Sequence, residues 1–454
     1  MKRLKPLKND MKTPVCDFVR EYASKNPVRL HMPGHKGEGD GADAFDITEI
    51  DGADTLFVNS GILGESQKNA SALFGTAKTL YSAEGSSLAI RAMLWLVSAK
   101  AKRDGTCPLV LAGRNAHKVF TGTAALLGID VKWIFPDGGG YLECPVTASG
   151  LGEELENCPK KPCAVYITSP DYLGNIADIE ALSAVCGEYG VPLLVDNAHG
   201  AYLRFLKDDI HPITLGADMC CDSAHKTLPV LTGGAYLHIS KTAEEFFAEN
   251  AENAMSLFAS TSPSYLILQS LDSVNPLFES GFSSLLEETV RRTGNLKKYL
   301  CSLGFELAGD EPIKVTVKPK SFGYTGCELA GLMQKENVYP EFSDPDFLVM
   351  MFSACTKQKD FDRVTEFFGA LQRKEKITAQ PPAIGKPAVF MNAHAAVTAP
   401  CEKVKIEKSV GRVLAQPGVS CPPAVPLVTC GEVISEEAVK AFRYYGIEYV
   451  YVVK

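Results

Sequence analysis

The sequence predicts an α/β fold, with a large domain built on a mostly parallel sheet, a smaller α+β domain and a C-terminal subdomain. Between residues 75 and 240, short apolar stretches alternate with helix-like segments, a pattern typical of parallel βα units. Beyond about residue 270, long amphipathic segments alternate with isolated apolar stretches. The Pro-rich stretch 379–388 is typical of a linker and precedes a β-rich C-terminus.

The elements follow from this alternation in chain order. In the first part, helices are predicted at 88–99, 119–128 and 178–189, and strands at 108–112, 131–135, 164–168, 192–195, 217–221 and 233–239. In the second part, helices are predicted at 284–303 and 360–373, and strands at 314–317 and 347–352. The predicted division is an N-terminal segment 1–40, a large domain 41–280, a small α+β domain 281–378 and a C-terminal subdomain 379–454.

Composition excludes several classes of protein. The 454 residues are 46% apolar and 22% charged, which provides enough apolar material for a large core and argues against disorder. The net charge of −8 disfavours a nucleic-acid partner. No apolar stretch of the length found in signal peptides follows the basic start, and no run of 18 apolar residues occurs. We therefore expect neither secretion nor a membrane span. Fourteen cysteines without a C-x-x-C motif predict a reduced, cytoplasmic protein.

Polar residues follow four of the predicted strands. In open α/β sheets, ligands bind beyond the carboxyl ends of the strands, so the loops there should converge on one cleft. These loops are 114–118, 169–175, 196–199 and 223–226.

A lysine in one of these loops is the first candidate for chemistry. Lys226 lies in DSAHKTLP, after an apolar strand and before the apolar LPVL. An ammonium partly removed from water loses its proton more readily, and a neutral amine can form a Schiff base with a carbonyl-bearing cofactor. Taken alone, the motif fits an ordinary surface lysine equally well.

Other strand ends add the remaining parts of such a site. Asp196 ends a buried strand, where it can pair with the pyridine nitrogen of a cofactor or cap the next turn. His117 can lie over the cofactor ring or be an ordinary loop histidine. Glu84-Gly85-Ser86-Ser87 opens a helix, and its free N–H groups and hydroxyls form a predicted phosphate cup. Helix capping by Ser86 is compatible with that role.

Phosphate cup, ring-facing histidine, aspartate and lysine follow one another in the order typical of fold-type I (aspartate aminotransferase-like) enzymes that use pyridoxal 5'-phosphate. The sequence further resembles the Orn/Lys/Arg decarboxylase family, in its short form without an N-terminal wing domain. The segments that carry the resemblance are LHMPGHKG (30–37), FDITEIDGADTL (45–56), YSAEGSSLAIRAML (81–94), RNAHKVF (114–120), TSPDYLGNIADI (168–179), VDNAHGAYLRF (195–205), DSAHKTLPVLTGGAYLHI (222–239), VYPEFSD (338–344) and SVGRVLAQPGVSCPPAVPLVTCGEVI (409–434).

The resemblance implies a role for each site residue. Lys226 would hold the cofactor covalently, Asp196 would pair with its pyridine nitrogen, and His117 would stack on its ring. The remaining residues would contact the phosphate, the cofactor or the reacting groups of the substrate: Gly85, Ser86, Ser87 and Ser223 for the phosphate, and His199 and His225 for the rest. This chain departs from the family pattern at Phe57, where many members have His, and at Cys430, where the usual motif is Pro-Gly-Glu.

The resemblance also implies a basic amino acid as substrate, with arginine as our first choice and lysine or ornithine next. Glu341 is the predicted counter-charge, since it follows the apolar NVYP. Asp344 is a second candidate, although we expect Asp344 and Asp346 to lie in a solvated turn. We expect His35 at the edge of the active site rather than in a metal site with His31, because Pro33 between them opposes a helix.

Three further expectations complete the interpretation. We predict no metal site, because no metal-ligand motif occurs, and the Gly37-x-Gly39 pattern neither follows a strand nor opens a clear helix, as a dinucleotide fingerprint would. The N-terminal segment, too polar for a core, and the resemblance imply a homodimer or a higher homo-oligomer. Two alternatives on the same fold remain open: an aminotransferase, or a lyase other than a decarboxylase. Arg291, Arg292 and Arg363 are available to clamp a substrate carboxylate that stays attached. A catalytically silent homologue is a third alternative.

Overall fold

The structure is a computed structural model that describes residues 11–39, 41–58, 61–136, 142–421 and 425–454. Two segments that the sequence analysis uses lie outside the described residues. They are the basic start of the chain, residues 1–10, and residues 422–424 of the C-terminal motif.

The helices and strands alternate along most of the chain. The helices are α1 Pro14–Ser24, α2 Ile62–Phe74, α3 Ser86–Arg103, α4 Lys118–Leu127, α5 Ala148–Glu156, α6 Ile179–Tyr189, α7 Ala224–Thr227, α8 Glu245–Ser256, α9 Tyr265–Ser273, α10 Asn275–Glu279, α11 Phe282–Leu303, α12 Gly326–Lys335, α13 Gln358–Ala370, α14 Ala393–Thr398 and α15 Glu436–Tyr444. The strands are β1 Lys78–Ser82, β2 Leu109–Gly113, β3 Asp130–Ile134, β4 Ala164–Thr168, β5 Leu193–Asp196, β6 Met219–Asp222, β7 Ala235–Ile239, β8 Glu306–Ala308, β9 Lys314–Lys318, β10 Phe342–Ser343, β11 Leu348–Met351, β12 Cys401–Lys405, β13 Gly418–Cys421, β14 Val425–Thr429 and β15 Tyr449–Val453.

The chain forms two compact units, each made of two stretches. Unit 1 comprises Met1–Val97 and Pro192–Glu287, and unit 2 comprises Ser98–Val191 and Glu288–Lys454. The predicted division into four segments stays a prediction.

Unit 1 contains four neighbouring strands in the order β1-β7-β6-β5. β5 and β6 are parallel, whereas β7 is antiparallel to both β6 and β1. The connection from β6 to β7 holds only the four-residue helix α7, which is too short for the helical crossover that parallel neighbours need. All four residues of β5 and all four of β6 are buried, as expected for the centre of a sheet.

Unit 2 contains the parallel strands β4-β2-β3, and together with the parallel pair of unit 1 these strands confirm the predicted α/β class. A separate sheet, β10-β11-β9-β8, is antiparallel. Its core contains Phe305, Val315 and Phe368. Two further two-stranded antiparallel sheets, β12–β15 and β13–β14, lie in the C-terminal part, where another core contains Leu414, Val428 and Phe442.

Candidate active site

Lys226 lies in unit 1 on α7, directly beyond the carboxyl end of β6. Its backbone N–H donates to the carbonyl oxygen of Ser223 at 3.0 Å. Its Nζ is 2.7 Å from Nε2 of His199, a residue of the loop beyond β5. The structure therefore brings together two of the predicted site residues that are 27 positions apart in the sequence.

Asp196 is the last residue of β5 and is 3% exposed. Its Oδ1 accepts a hydrogen bond from the backbone N–H of Ala198 at 3.3 Å, and the thiol of Cys221 lies 3.5 Å from the same oxygen. A buried carboxylate with these partners can accept a hydrogen bond from a protonated ring nitrogen, which is the role predicted for Asp196.

The predicted phosphate cup lies at the amino end of α3. Gly85 has a φ of +71°, and its N–H donates to the carbonyl of Gly233 at 2.7 Å. Ser86 is the first residue of this 18-residue helix, and its Oγ accepts from the Oγ of Ser223 at 2.8 Å. A Cβ built on Gly85 would meet only the backbone nitrogen of Ser87, at 4.0 Å, so space is open in front of the helix.

His225 is held by Gly234, the residue that precedes β7. Its backbone N–H donates to the carbonyl of Gly234 at 3.1 Å, and its Nδ1 donates to the same oxygen at 3.0 Å. These hydrogen bonds fix the imidazole of His225, the residue that precedes Lys226 in the sequence.

The donor set of unit 1 fits pyridoxal phosphate in chemical type. An amine can bind the aldehyde, a buried carboxylate can pair with the pyridine nitrogen, and hydroxyls at a helix amino end can hold the phosphate. The residues that would do this are Lys226, Asp196, Ser86, Ser87 and Ser223, with His199 at the amine.

His117 belongs to unit 2, where it precedes α4. Its Nδ1 accepts a hydrogen bond from the N–H of Val119 at 3.1 Å, so the side chain caps that helix. The predicted stacking of His117 on a cofactor ring stays a prediction.

The predicted solvation of Asp344 and Asp346 is wrong, because both are buried, at 1% and 8% exposure. Oδ1 of Asp344 accepts the N–H groups of Asp346 and Phe347 at 2.7 and 2.6 Å. Asp346 accepts from Nζ of Lys320 at 2.5 Å and from the hydroxyl of Tyr444 at 2.8 Å. Burial raises the pKa of Asp344 to about 6. Asp344 is thus committed to its own turn.

The other two candidate substrate residues remain accessible. Glu341 is exposed in unit 2, just before β10. His35 lies in unit 1 in a turn, and its side chain is 30% exposed. Its Nδ1 accepts from the N–H of Gly37 at 3.0 Å, and its Nε2 is 3.3 Å from Asp46. Residues 31–37 contain no helix, as Pro33 predicts.

The two departures from the family pattern lie in different surroundings. Phe57 has a φ of +70°, which is uncommon for a bulky residue. Cys430 is buried with Ala125 and Ala396. The glutamate two residues later, Glu432, forms a buried ion pair with Arg114 at 2.9 Å. The change from proline to cysteine therefore leaves this glutamate paired.

Sequence reasoning missed a buried polar cluster behind the lysine loop. Asp222, His211 and His238 are each 0% exposed, and Nε2 of both histidines lies 3.1 Å from Oδ2 of Asp222. Among the described residues, His211, Cys220 and Asp222 also bring ligand-type atoms within 4.8 Å of one another, whereas His31 and His35 are not in that group. Asp222 ends a buried strand as Asp196 does, and this signal could have identified it.

Comparison with known proteins gives consistent matches. A family model described as "Orn/Lys/Arg decarboxylase, major domain" matches residues 13–316, and the corresponding C-terminal domain model matches residues 373–448. An arginine decarboxylase of Bacillus subtilis is 26% identical over 94% of this chain and 92% of that protein.

Two solved structures show the shared fold. The lysine decarboxylase of Francisella novicida superposes with a TM-score of 0.81 at 16% identity, over 98% of this chain and 82% of that one. A serine palmitoyltransferase solved with pyridoxal phosphate gives a TM-score of 0.52 at 15% identity, over 67% of this chain and 75% of that one. None of the helices in the described part of the chain is long and apolar enough to cross a membrane.

Proposed function

This chain belongs to the Orn/Lys/Arg decarboxylase family, and on that premise we propose that it decarboxylates arginine in preference to lysine or ornithine. Family membership makes it a decarboxylase of basic amino acids. The choice of arginine is supported by the arginine decarboxylase of Bacillus subtilis, which aligns over nearly its whole length.

The observation that carries the proposal is the contact between Nζ of Lys226 and Nε2 of His199, 2.7 Å apart at adjacent strand ends. A lysine whose amine faces an imidazole has a partner for proton exchange, as a nucleophilic amine requires. Pyridoxal phosphate, held at this lysine, would supply the electron sink for the bond that breaks. Ser86 and Ser223, whose hydroxyls are 2.8 Å apart, would orient the phosphate.

The protein's own groups have separate tasks in this proposal. Asp196, buried at the end of β5, would keep a proton on the pyridine nitrogen of the bound cofactor by its negative charge. His199 accepts or returns the proton of the Lys226 amine. The buried strands β5 and β6 fix the loops that carry His199 and Lys226, so the orientation of these two side chains is set before the substrate binds.

For the substrate side chain, we propose Glu341 as the counter-charge, with His35 at the edge of the site. Glu341 is exposed and thus accessible to a cation, in contrast to the buried Asp344. Arginine is preferred because its planar guanidinium can donate two parallel hydrogen bonds to one carboxylate.

Transamination is the nearest alternative chemistry. It needs an arginine to clamp a carboxylate that stays attached to the substrate, but Arg291 and Arg292 already pair with Glu288 at 2.7 Å. Arg363 donates to the backbone carbonyl of Glu336. These contacts give decarboxylation the stronger support.

The test is a substrate panel of arginine, lysine, ornithine, glutamate and alanine, with pyridoxal phosphate supplied. We expect carbon dioxide and the corresponding amine from arginine first, and no keto acid. Keto-acid formation without carbon dioxide would replace the proposal with transamination, and visible cofactor absorbance without any turnover would indicate a catalytically silent homologue.

We also propose a cytoplasmic homodimer or a multiple of it that acts in polyamine biosynthesis. Support for association comes from three exposed apolar side chains of the N-terminal segment, Val28 (86%), Leu30 (91%) and Met32 (64%). Most homo-oligomers are built on two-fold symmetry. Light scattering at assay concentration should give at least twice the 49.0 kDa chain mass, and a fully active monomer would contradict the proposal.

A further inference from the structure

We propose that Asp222 and Asn197 are positioning residues for the decarboxylation, an inference that rests on the proposed function. Their hydrogen bond sets the place of the loop 196–199 relative to Lys226. This loop carries Asp196 at one end and His199 at the other.

The contact itself is short and fully buried. Nδ2 of Asn197 donates to Oδ1 of Asp222 at 2.6 Å, and both residues are 0% exposed. The backbone N–H of Asn197 also donates to the carbonyl of Cys221 at 3.0 Å. Asn197 is therefore held to β6 by both its backbone and its side chain, one residue away from Asp196.

The second oxygen of Asp222 is fixed by two histidines. Nδ1 of His211 accepts from the N–H of Ile213 at 3.4 Å, so the ring proton lies on Nε2, which faces Asp222. His238 donates through its own Nε2, while its Nδ1 contacts the hydroxyl of Thr79 at 2.9 Å. The carboxylate thus accepts three hydrogen bonds and has no freedom to rotate.

The charges around Asp222 keep it ionised. Burial alone would raise the pKa of Asp222, but the electrostatic interaction with His211 and His238 and the hydrogen bonds that they donate outweigh burial and hold this pKa below its ordinary value. The other ionisable groups that interact with it are Cys220, Cys221 and Tyr236, and burial raises the pKa of all three well above their ordinary values, so they stay neutral. An ionised acceptor makes the bond from Asn197 a strong one.

Gly200 closes the other side of the Asn197 amide. A Cβ built on Gly200 would lie 2.0 Å from Oδ1 of Asn197, although the backbone there, with φ of −109°, suits any residue. Glycine at this position thus leaves the amide room to face Asp222. Because only Ser223 separates Asp222 from α7, the same carboxylate anchors the strand end that presents Lys226.

The main test is a charge exchange in the holoenzyme. Asn197→Asp places two carboxylates in contact, and we expect kcat to fall about tenfold to a hundredfold with KM changed less than about threefold. Adding Asp222→Asn restores an amide and a carboxylate, with the amide oxygen still available to both histidines. We expect the double variant to recover most of kcat. A loss that the second change does not recover would overturn the proposal.

Gly200→Ala is the second variant, because it displaces the amide without altering either partner. Asp272→Asn is the matched control, since Asp272 is a buried aspartate of the same unit that accepts from Ser66 at 2.6 Å and from the N–H of Cys16 at 2.9 Å. We expect Gly200→Ala to lower kcat and Asp272→Asn to lower only the thermal stability. Equal effects on kcat from the two variants would reduce Asn197 and Asp222 to an ordinary structural role and overturn the proposal.

A spectral readout separates this inference from the proposed function. The visible absorbance of bound pyridoxal phosphate, followed against pH, reports the surroundings of Lys226 without any substrate. We expect its midpoint to shift in Asn197→Asp and Gly200→Ala and to stay in Asp272→Asn. If the parent enzyme decarboxylates no basic amino acid, the proposed function fails alone, whereas unchanged midpoints together with unchanged kcat overturn the positioning role alone.

Discussion

Both units bury aspartates, but the partners of these aspartates have different origins. In unit 1, Asp196 and Asp222 end neighbouring strands, and each contacts a residue at the end of the other strand: Cys221 for Asp196 and Asn197 for Asp222. In unit 2, Asp346 is held by Lys320 and Tyr444, which are 26 and 98 residues away. The carboxylates of unit 1 converge at one edge of the sheet, whereas Asp344 and Asp346 are committed to packing. Burial alone therefore does not distinguish a carboxylate of the candidate site from one that is held within the fold.

The largest effect should follow from removing the amine of unit 1. Lys226→Ala should abolish both the visible cofactor absorbance and turnover, since no other group replaces the amine that binds the aldehyde. The fold should persist, because the side chain of Lys226 is only partly buried and the change leaves the buried Ala224 and Leu228 in place. Lys241→Ala, the removal of an exposed lysine of the same unit, should leave both signals unchanged. Appreciable decarboxylation by Lys226→Ala would contradict the site assignment.

Asp196→Asn should have the next largest effect. An amide cannot keep the pyridine nitrogen protonated, and a charged hydrogen bond is commonly worth about 1.5–3 kcal/mol, so we expect at least about a tenfold loss in kcat. The cofactor should remain bound after gel filtration, as its absorbance would show. Turnover near that of the parent enzyme would remove Asp196 from its role.

A smaller effect, confined to substrate binding, is expected for Glu341→Gln. Losing the counter-charge should raise KM for arginine by roughly ten- to a hundredfold, with cofactor binding unchanged. Glu336→Gln, which removes an equivalent exposed charge five residues earlier, should leave KM as it is. If the two variants behave alike, Glu341 is not the counter-charge.

The buried acid of the unit 2 turn should affect stability rather than catalysis. The pKa of Asp344 is raised from 3.8 to about 6, so its ionisation destabilises the folded state as the pH rises through that window. The free energy of unfolding of Asp344→Asn, minus that of the parent, should therefore increase by up to about 3 kcal/mol as the pH rises from 4 to 7. Urea unfolding at several pH values measures this difference, and a difference independent of pH would contradict the prediction.

The contrast between the units also explains what the sequence could predict. The strand over Ala164–Thr168 was predicted residue for residue, and Asp196 and Lys226 were placed at strand ends, because a buried strand in a parallel sheet has a distinctive apolar run. β1 and the helix α2 were not predicted as elements, since their sequences mix polar and small residues. The burial of Asp346 involves the distant partners Lys320 and Tyr444, which no local pattern reveals.

The cluster around Asp222 shows the same limit inside unit 1. The position of Asp222 at a strand end could be read from the sequence, but its partners His211 and His238 come from a loop and from β7. β7 is antiparallel to β6, and its direction fixes which of its side chains reaches the carboxylate. A pattern of apolar residues does not give that direction.

The central claim is that the strand ends of unit 1 hold the cofactor through Lys226. Reduction of the holoenzyme with borohydride, followed by proteolysis and mass spectrometry, locates the lysine that carries the cofactor. We predict a pyridoxyl group on the peptide that contains Lys226 and its absence from every other lysine peptide. A modified lysine elsewhere, or an unmodified Lys226 in an enzyme that still releases carbon dioxide from arginine, would contradict the claim.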